Sequence, residues 1–399
     1  MAQTDHSTRK HALLSASGSH RWINCPPSAR LEEKFEESNP SRSSVYADEG
    51  TLAHEFGDIN LKHKHGLIDD KTMISELERL RKDSLYYVGM EDEVDKYVTY
   101  VMEQFGEAKK ITPDAVLLIE EKFDFSHVVE QGFGTGDASI IADGTLEIID
   151  LKFGKGVRVD SKENSQLKLY ALGALRSFDM MYDIQKVRVT IVQPRLDHID
   201  SWEVSVEDLL TWSTRTVKPR AEEAYTGKGL QKAGEHCRWC KVKALCATLA
   251  AQNTRIAQHE FKDPHLLTEQ QLLDVYKIIP MIQDWANAVG EYLLDQALKG
   301  KDWPGYKIVE GRSLRKWVDE EKVYDLLTEK EYAEDEFMVS KLAGIPAIEK
   351  LVGKKAFPAL LGDLVILPPG KPTLVPTSDK RPAMGLDQAK ADFSEESLD

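Results

Sequence analysis

The sequence has no long apolar run and little cysteine. Its 399 residues include 4 cysteines, and no apolar stretch approaches the ~18 residues that a membrane-spanning helix needs. The first residues, MAQTDHSTRKHALL, lack the apolar core of a signal peptide. These absences argue against a membrane protein, an exported protein and a small disulfide-rich domain. We therefore expect a cytoplasmic protein with no membrane partner.

An excess of positive charge is also missing. The 52 basic and 67 acidic residues give a net charge of −15, with 41% hydrophobic and 30% charged residues. This composition excludes a fibre or a wholly disordered chain, and the acidic balance argues against a protein that coats nucleic acid in bulk. The phosphate-binding loop of nucleotide-driven motors is absent. At about 150 residues per domain, the length predicts two or three domains.

Three of the four cysteines lie close together in HCRWCKVKALC. Cys237, Cys240 and Cys246 follow the spacing Cys-x2-Cys-x5-Cys, whose two-residue spacer lets one turn point two sulfurs at one ion. In a reducing cytosol, thiolate ligation explains this spacing better than disulfides. Cys25 can supply a fourth thiolate for an iron–sulfur cluster or a structural zinc, whereas His236 permits a Cys3His zinc site. Four unrelated buried thiols are the simplest alternative.

Two strands are predicted to carry charged side chains to one edge of a sheet. An Asp-Gly pair separates two β-rich runs, which is a strong hairpin signal. The first strand is predicted to start at Asp137. The second ends with Asp150, Leu151 and Lys152, so that Asp150 and Lys152 share one face. Two carboxylates there would hold Mg²⁺ or Mn²⁺, and the lysine would orient a water or stabilise charge on a phosphate.

Further elements are predicted around this hairpin. Residues 115–123 and 186–194 read as strands, and residues 163–178 read as a helix. On that helix Gln166 and Tyr170 are four residues apart and lie on one face, from which they can reach the same edge. Each feature alone has a simpler explanation: a solvated hairpin end for the Asp-x-Lys tripeptide, and an ordinary core residue for the tyrosine.

In combination, these motifs resemble the RecB-like branch of the PD-(D/E)XK nuclease superfamily. In that family one strand carries Gly-x-x-Asp or Gly-x-Asp, the next carries Asp-x-Lys, and a helix carries Gln-x-x-x-Tyr. This chain has, in the same order, Gly136-Asp137, Asp150-Leu151-Lys152 and the helical pair Gln166 and Tyr170. The segment EGTLAHEF resembles the family's Gly-x-x-x-His helix, with His54 as the metal-binding histidine. SASGSHRWINCPP resembles its Ser-x-Ser…Cys-Pro opening, with Cys25 as the first cluster ligand. The resemblance covers about residues 12–250.

The resemblance implies an α/β fold, in which a mixed central sheet flanked by helices forms the PD-(D/E)XK nuclease core. Residues 1–250 would be the RecB-like iron–sulfur nuclease domain, with a helical insertion at about 67–110. Residues 251–362 would form a mostly helical C-terminal extension, and residues 363–399 a Pro-rich and then acidic flexible tail.

The resemblance also implies roles for individual residues. The metal ligands would be His54, Asp137, Asp150 and the carbonyl of Leu151. Lys152 would position the attacking water, and Gln166 and Tyr170 would organise the site or contact DNA. Glu120 or Glu121 matches an extra acidic position of the family. As in AddB-type nucleases, a structural [4Fe–4S] cluster would be held by Cys25, Cys237, Cys240 and Cys246, with zinc as the alternative.

The activity implied is metal-dependent hydrolysis of DNA at linear ends. The motor-free layout resembles phage and prophage exonucleases that resect ends beside a single-strand annealing or binding protein. A net charge of +4 over residues 218–246 would allow local, salt-sensitive DNA contact despite the net negative charge of the full chain. Two alternatives stay open at this point: a structure-specific DNA endonuclease, and a non-catalytic zinc-stabilised protein that binds nucleic acid.

Overall fold

The computed structural model describes residues 12–39, 45–259, 269–311, 315–338, 342–353, 355–368, 372–379 and 381–385. The chain divides into two compact units, Met1–Trp285 and Ala286–Asp399. No helix in the described ranges is both long enough and apolar enough to cross a bilayer.

The first unit contains five strands and most of the long helices. The strands are β1 (Val116–Asp124), β2 (Phe133–Ala142), β3 (Gly144–Leu151), β4 (Ile184–Gln193) and β5 (His198–Ser205). The helices are α1 (Ser19–Asn24), α2 (Ser28–Ser38), α3 (Val45–Lys64), α4 (Asp70–Leu80), α5 (Met90–Ile111), α6 (Ser165–Phe178), α7 (Val206–Trp212), α8 (Lys218–Thr226), α9 (Ala247–His259) and α10 (Glu269–Leu298), the last of which continues past residue 285.

The strands form one mixed sheet in the order β1-β2-β3-β4-β5. Strands β3 and β4 are parallel, and the other neighbouring pairs are antiparallel. The parallel pair needs a crossover connection, which helix α6 provides. The predicted α/β architecture, a mixed central sheet flanked by helices, is therefore confirmed. The predicted hairpin is also present, because Ala142 pairs with Thr145 across the Asp-Gly turn.

Both faces of the sheet are covered by helices, and the alternation along β3 shows why. Leu146 and Ile148 pack into one apolar core with α6, whereas Ile149 and Leu151 pack into a second core with α3 and α5. A strand buried on both faces reads as a nearly continuous apolar run, as this one does. The alternation places Asp150 on the α6 side of the sheet, opposite in direction to Leu151.

The start of β2 differs from the prediction. The strand begins at Phe133, not at Asp137, and pairs with β1 along its whole length. The additional strand residues include the glycines at 134 and 136. A Cβ on Gly134 would lie 2.7 Å from Tyr170, and one on Gly136 would lie 2.9 Å from Phe123. These glycines let aromatic rings lie against the strand, so Asp137 lies in mid-strand.

Helix α6 approaches β1 closely at Gly173. A Cβ added there would lie 2.8 Å from the Cβ of Phe123 and 3.3 Å from backbone atoms of Asp124. Backbone cannot move aside as a flexible side-chain end can, so any side chain at this position must separate the helix from the sheet.

We expect Gly173→Ala to lower the free energy of unfolding by about 1–3 kcal/mol through overpacking. Gly106→Ala is the matched control, because Gly106 is an exposed glycine in helix α5 with open space around it. That change is expected to stabilise the protein by about 0.5–1 kcal/mol through helix propensity. Thermal unfolding followed by circular dichroism measures both. Equal melting temperatures in the two variants would contradict the close approach.

The second unit combines short helices with short strands. Its elements are β6 (Tyr306–Glu310), β7 (Lys316–Trp317), α11 (Glu320–Glu329), α12 (Glu334–Phe337), α13 (Ile345–Val352), α14 (Phe357–Leu361), β8 (Val365–Ile366) and β9 (Pro372–Pro376). Strand β9 pairs with β6, and β8 pairs with β7. Part of the segment expected to be a flexible tail therefore forms strands. Residues 386–399 of that tail lie outside the described residues.

Candidate functional site

Three elements bring metal-binding side chains together at β1 and β2. His54 comes from α3, Glu120 from β1 and Asp137 from β2, and one ligand atom of each lies within 4.8 Å of the others. The His54 Nδ1 atom is 3.3 Å from Asp137 Oδ1. One imidazole and two carboxylates at this spacing are a plausible set of protein ligands for a divalent cation.

Glu120 has an unusual backbone conformation. Its φ angle is 50°, a left-handed value that costs a non-glycine residue about 1–3 kcal/mol. The β1–β2 register pairs Ile119 with Ala138 and Glu121 with Gly136, so Glu120 is opposite Asp137 at the one position where the pairing is interrupted. The strained residue therefore lies beside the carboxylate that it would share a metal with.

The charges of this group are strongly coupled. Burial would lower the pKa of His54, but the charge of Asp137 and its hydrogen bond outweigh burial and raise that pKa to about 9. Burial raises the pKa of Glu120 to about 7, and the charge of Asp137 adds to the effect. Burial opposes ionisation of Asp137 too, but His54 and Lys152 lower its pKa. Without a cation, the imidazolium is the main charge that neutralises Asp137, and it must release its proton before it can bind a metal.

Lys152 and Asp150 form a second group directly beside the first. Lys152 Nζ is 2.8 Å from Asp150 Oδ2 and donates to Gln166 Oε1 at 3.3 Å. Gln166 Nε2 donates to Asp150 Oδ1 at 3.2 Å. Burial would lower the pKa of Lys152, but Asp150 and Asp137 outweigh burial and raise it. The lysine is therefore charged and held in place by two partners.

Helix α6 presents Gln166 and Tyr170 to this group, as their spacing predicted. Asn164 caps the helix and accepts hydrogen bonds from the backbone N–H groups of Gln166 and Leu167. Gln166 Nε2 also donates to the hydroxyl of Tyr170 at 3.2 Å. The tyrosine ring lies against β2 in the space left by Gly134. Burial and the charge of Asp150 raise the pKa of Tyr170, so its hydroxyl stays protonated.

The predicted metal ligands are only partly those that the structure groups together. His54 and Asp137 belong to the group, and Glu120 is its third member. Asp150 lies outside this group. Its side chain is on the α6 side of the sheet, where it contacts Lys152 and Gln166 instead. Leu151 contributes its backbone N–H, which donates to Asp137 Oδ2 at 2.7 Å. A role for the Leu151 carbonyl as a metal ligand stays a prediction.

Two residues near the site carry no signal in the sequence. Tyr97 on α5 is fully buried, and its pKa is raised by burial and then by the charge of Asp137. Arg195, just after β4, is 2.9 Å from Glu49 on α3 and lies over the ring of Phe153, 4.8 Å from its centroid. This arginine connects the helix that carries His54 to the chain immediately after Lys152. Only the three-dimensional packing reveals either residue.

The four cysteines surround one cavity next to helices α1 and α2. Cys25, Cys237, Cys240 and Cys246 line it together with Arg21, His236 and Leu249, among others. All four are free thiols. Burial raises the pKa of Cys237 and raises that of Cys240 to about 12. Buried thiols of this kind become thiolates only if a bound cation compensates their charge.

The expected convergence of several sulfurs on one ion is not found. Among the described residues, no three cysteine sulfurs lie within 4.8 Å of one another. The local chain explains this spacing, since Cys237 ends a 3-10 turn at residues 235–237, whereas Cys246 follows a separate 3-10 turn at residues 243–245. His236, the alternative ligand, donates a hydrogen bond from its Nε2 atom to the Lys232 carbonyl at 2.7 Å.

The cysteine segment is fastened to the start of the domain by charged side chains. The backbone N–H of Lys241 donates to Glu32 Oε1 at 2.7 Å, and Glu32 in turn pairs with Arg21 at 2.7 Å. Arg21 donates to the carbonyl of Trp239 at 3.3 Å. The last part of the domain is thereby held against its first two helices.

Comparison with models of known protein families identifies the family of this chain. A family model described as "Protein of unknown function (DUF2800)" matches residues 11–382. The chain belongs to the DUF2800 family. The match includes every candidate site residue, from Cys25 to Cys246, so both sites lie within the DUF2800 region.

Two solved structures show remote similarity to this DUF2800 protein. The protein SSO0001 is 12% identical, with 60% of this chain and 89% of that chain covered and a TM-score of 0.27. A candidate exonuclease from Eubacterium rectale is 11% identical, with 68% and 98% covered and a TM-score of 0.33. Because both similarities are remote, the chemistry has to be inferred from the side chains of this chain.

Proposed function

We propose that this DUF2800 protein is a metal-dependent nuclease that hydrolyses DNA phosphodiester bonds at a PD-(D/E)XK active site. One observation carries the proposal: the ligand atoms of His54, Glu120 and Asp137 lie within 4.8 Å of one another, directly beside the paired Asp150 and Lys152. A metal site next to a half-buried, charged lysine offers the Lewis acid and the fixed positive charge that assist hydrolysis of a phosphodiester.

The donor set fits Mn²⁺ or Mg²⁺, because hard carboxylate oxygens dominate it and the imidazole is tolerated best by Mn²⁺. A bound ion would supply Lewis acidity and a water of lowered pKa. Asp137 would be the central ligand, since it is 3.3 Å from the His54 ring nitrogen and is opposite Glu120 in the β1–β2 register. Asp150 would complete the set through its carboxylate, as the sequence predicts, while also holding Lys152.

The remaining residues would act on the substrate. Lys152 would direct its ammonium group toward the attacking water and the charge that develops on the phosphate. Gln166 keeps the lysine in place by accepting a hydrogen bond from Lys152 Nζ at 3.3 Å, and it donates a hydrogen bond from its amide nitrogen to Asp150. Tyr170, whose hydroxyl stays protonated, would orient Gln166 or donate to a substrate oxygen.

The proposed substrate is linear DNA, degraded from its ends, as in the phage-type nucleases that the motifs resemble. A single-strand annealing or binding protein would be the functional partner. An endonuclease would use the same active site, so the two activities have to be distinguished by substrate topology.

We further propose that the four cysteines hold a structural [4Fe–4S] cluster. The support is that Cys25, Cys237, Cys240 and Cys246 line one buried cavity. Four thiolates at Zn–S bonds of ~2.3 Å would all lie about 3.8 Å apart, whereas no three of the described cysteine sulfurs lie within even 4.8 Å of one another. A cluster binds each thiolate through a different iron atom and so suits wider spacing. Zinc is the alternative.

The experiment that tests the nuclease uses protein purified without oxygen. End-labelled linear duplex and covalently closed circular duplex are incubated with Mn²⁺, Mg²⁺ or EDTA. We expect metal-dependent loss of the linear DNA, with the circle left intact. Cleavage of the circular DNA would show that the activity is that of an endonuclease and not of an exonuclease. Binding of DNA with no cleavage of duplex or single strands would replace catalysis by a binding function.

Glu120→Gln is expected to weaken Mn²⁺ binding by more than about tenfold, because it removes the charge of a direct ligand. Loss of a residue that only hydrogen-bonds a metal ligand already lowers metal affinity by about 10- to 100-fold. Glu121→Gln is the matched control, since Glu121 is the next residue and is exposed. Isothermal titration with Mn²⁺ measures both affinities. Equal affinities in the two variants would remove Glu120 from the ligand set.

A further inference from the structure

The chain immediately after Lys152 carries a row of exposed cations. Lys155, Arg158 and Lys162 lie between β3 and α6, and all three are exposed. Among the described residues, no hydrogen bond or ion pair is formed by any of the three side chains. The single aromatic contact is that of Lys155, whose Nζ is 6.0 Å from the Tyr87 ring centroid. Three cations here are therefore available to a partner outside the chain.

The nearby acidic residues do not neutralise this row. Glu163 is 2.8 Å from Lys168 Nζ and is paired there. Asp160 is exposed and is the remaining acid between Lys152 and Glu163. The loop thus keeps a net positive charge beside carboxylates that would otherwise repel a polyanion.

The loop is held in position by buried polar side chains of β4 and β5. Gln193 accepts from the Val159 N–H at 2.8 Å and donates to the Val157 carbonyl at 3.0 Å. Asp200 accepts from the N–H and the hydroxyl of Ser161, both at 2.7 Å. These contacts use backbone groups and the Ser161 hydroxyl of the loop, and the three cationic side chains take no part in them. The cations are presented by a fixed surface, which reduces the entropy lost when they bind a partner.

Two glycines in this loop have no role within the chain. Gly154 and Gly156 flank Lys155, their φ angles are not left-handed, and a Cβ on either would meet nothing within 4 Å. Neither backbone conformation nor packing among the described residues requires glycine there. Open space in front of a backbone is what close approach by another molecule requires.

We infer that the loop of residues 154–162 is a DNA-backbone contact surface, on which Lys155, Arg158 and Lys162 bind successive phosphates next to the scissile bond. Lys155 is three residues from Lys152, hence within about 10 Å of it along even a fully extended chain. Phosphates along one DNA strand rise 3.4 Å per residue, and each of the three cations would bind a different phosphate. The inference rests on the proposed function for the identity of the polyanion.

The test measures DNA binding without cleavage. Full-length protein in EDTA is titrated into a fluorescent linear duplex at about 50–200 mM NaCl, and gels verify that the DNA stays intact. Each of Lys155→Ala, Arg158→Ala and Lys162→Ala should make the slope of log K against log salt less negative by about 0.9, and the triple variant by about 2.7. Lys71→Ala, an exposed cation on α4 with no ion pair in the described part of the chain, is the control and should leave the slope unchanged.

The glycines provide a second measurement. The double variant Gly154→Ala, Gly156→Ala should keep the melting temperature of the wild type and bind DNA more weakly. An unchanged affinity would overturn the close approach of DNA to the loop.

The outcomes separate this inference from the nuclease. An unchanged salt slope in the triple variant of a protein that cleaves DNA would overturn the contact surface and leave the nuclease standing. The expected change of slope in a protein that never cleaves DNA would leave the contact surface standing and overturn the nuclease. A wild type that does not bind DNA at all would overturn the contact surface.

Discussion

Lys152→Met is expected to lower the kcat of the proposed DNA hydrolysis by at least about 10²–10³, the range found when one preorganised donor to a developing charge is removed. The ammonium group is 2.8 Å from Asp150 and has a raised pKa, so it is charged at neutral pH. Methionine keeps most of the volume of the side chain and removes the charge. The measurement is the initial rate on linear duplex at saturating Mn²⁺. Lys110→Met, an exposed lysine on α5, is the control and should cleave at the wild-type rate.

Loss of activity could also follow from loss of folding, because the substitution leaves Asp150 without its cation. Burial and the charge of Asp137 already raise the pKa of Asp150, and breaking a buried ion pair costs about 3–5 kcal/mol. The double variant Lys152→Met, Asp150→Asn removes both charges. It should recover most of the melting temperature and stay inactive. Recovery of cleavage along with stability would show that Lys152 has no chemical role.

The parts of the site that depend on local geometry were predictable from the sequence. Strand alternation placed Asp150 and Lys152 on one face, and helical spacing placed Gln166 and Tyr170 together. Both depend on residues within four positions of each other, where backbone geometry leaves little freedom. The mixed sheet was implied by the family resemblance, and the predicted order of hairpin, helix and strand agrees with it, since a parallel pair requires a crossover.

The parts that depend on distant contacts were not predictable. The sequence could not choose between Glu120 and Glu121, because the choice depends on a left-handed φ angle opposite Asp137. Nor could it show that β9 pairs with β6, more than 60 residues away. Tyr97 and Arg195 look like ordinary residues of helix and loop until the fold brings them to the site.

The cysteine cavity gives the other large expected effect, on stability. Cys25 and Cys246 are more than 200 residues apart, and a cofactor bound to both closes that long loop. The chain-entropy model of a cross-link assigns about 5 kcal/mol to a loop of this length. For a unit of this size, that corresponds to a fall in melting temperature of about 10–20 °C when the link is lost.

Cys25→Ser should therefore lose the cofactor and melt at a temperature about 10–20 °C lower, whereas His236→Gln should keep both cofactor and stability. Metal analysis and the absorbance near 400 nm of protein purified without oxygen identify the cofactor. Iron in the wild type and its loss in the serine variant would support the cluster. Zinc in a colourless protein would show that the site binds zinc and not an iron–sulfur cluster. Loss of that zinc in His236→Gln but not in Cys25→Ser would identify its ligands as three cysteines and His236. Because His236 and Cys25 line the same cavity, the two variants disturb the same surroundings and differ only in the ligand that they remove.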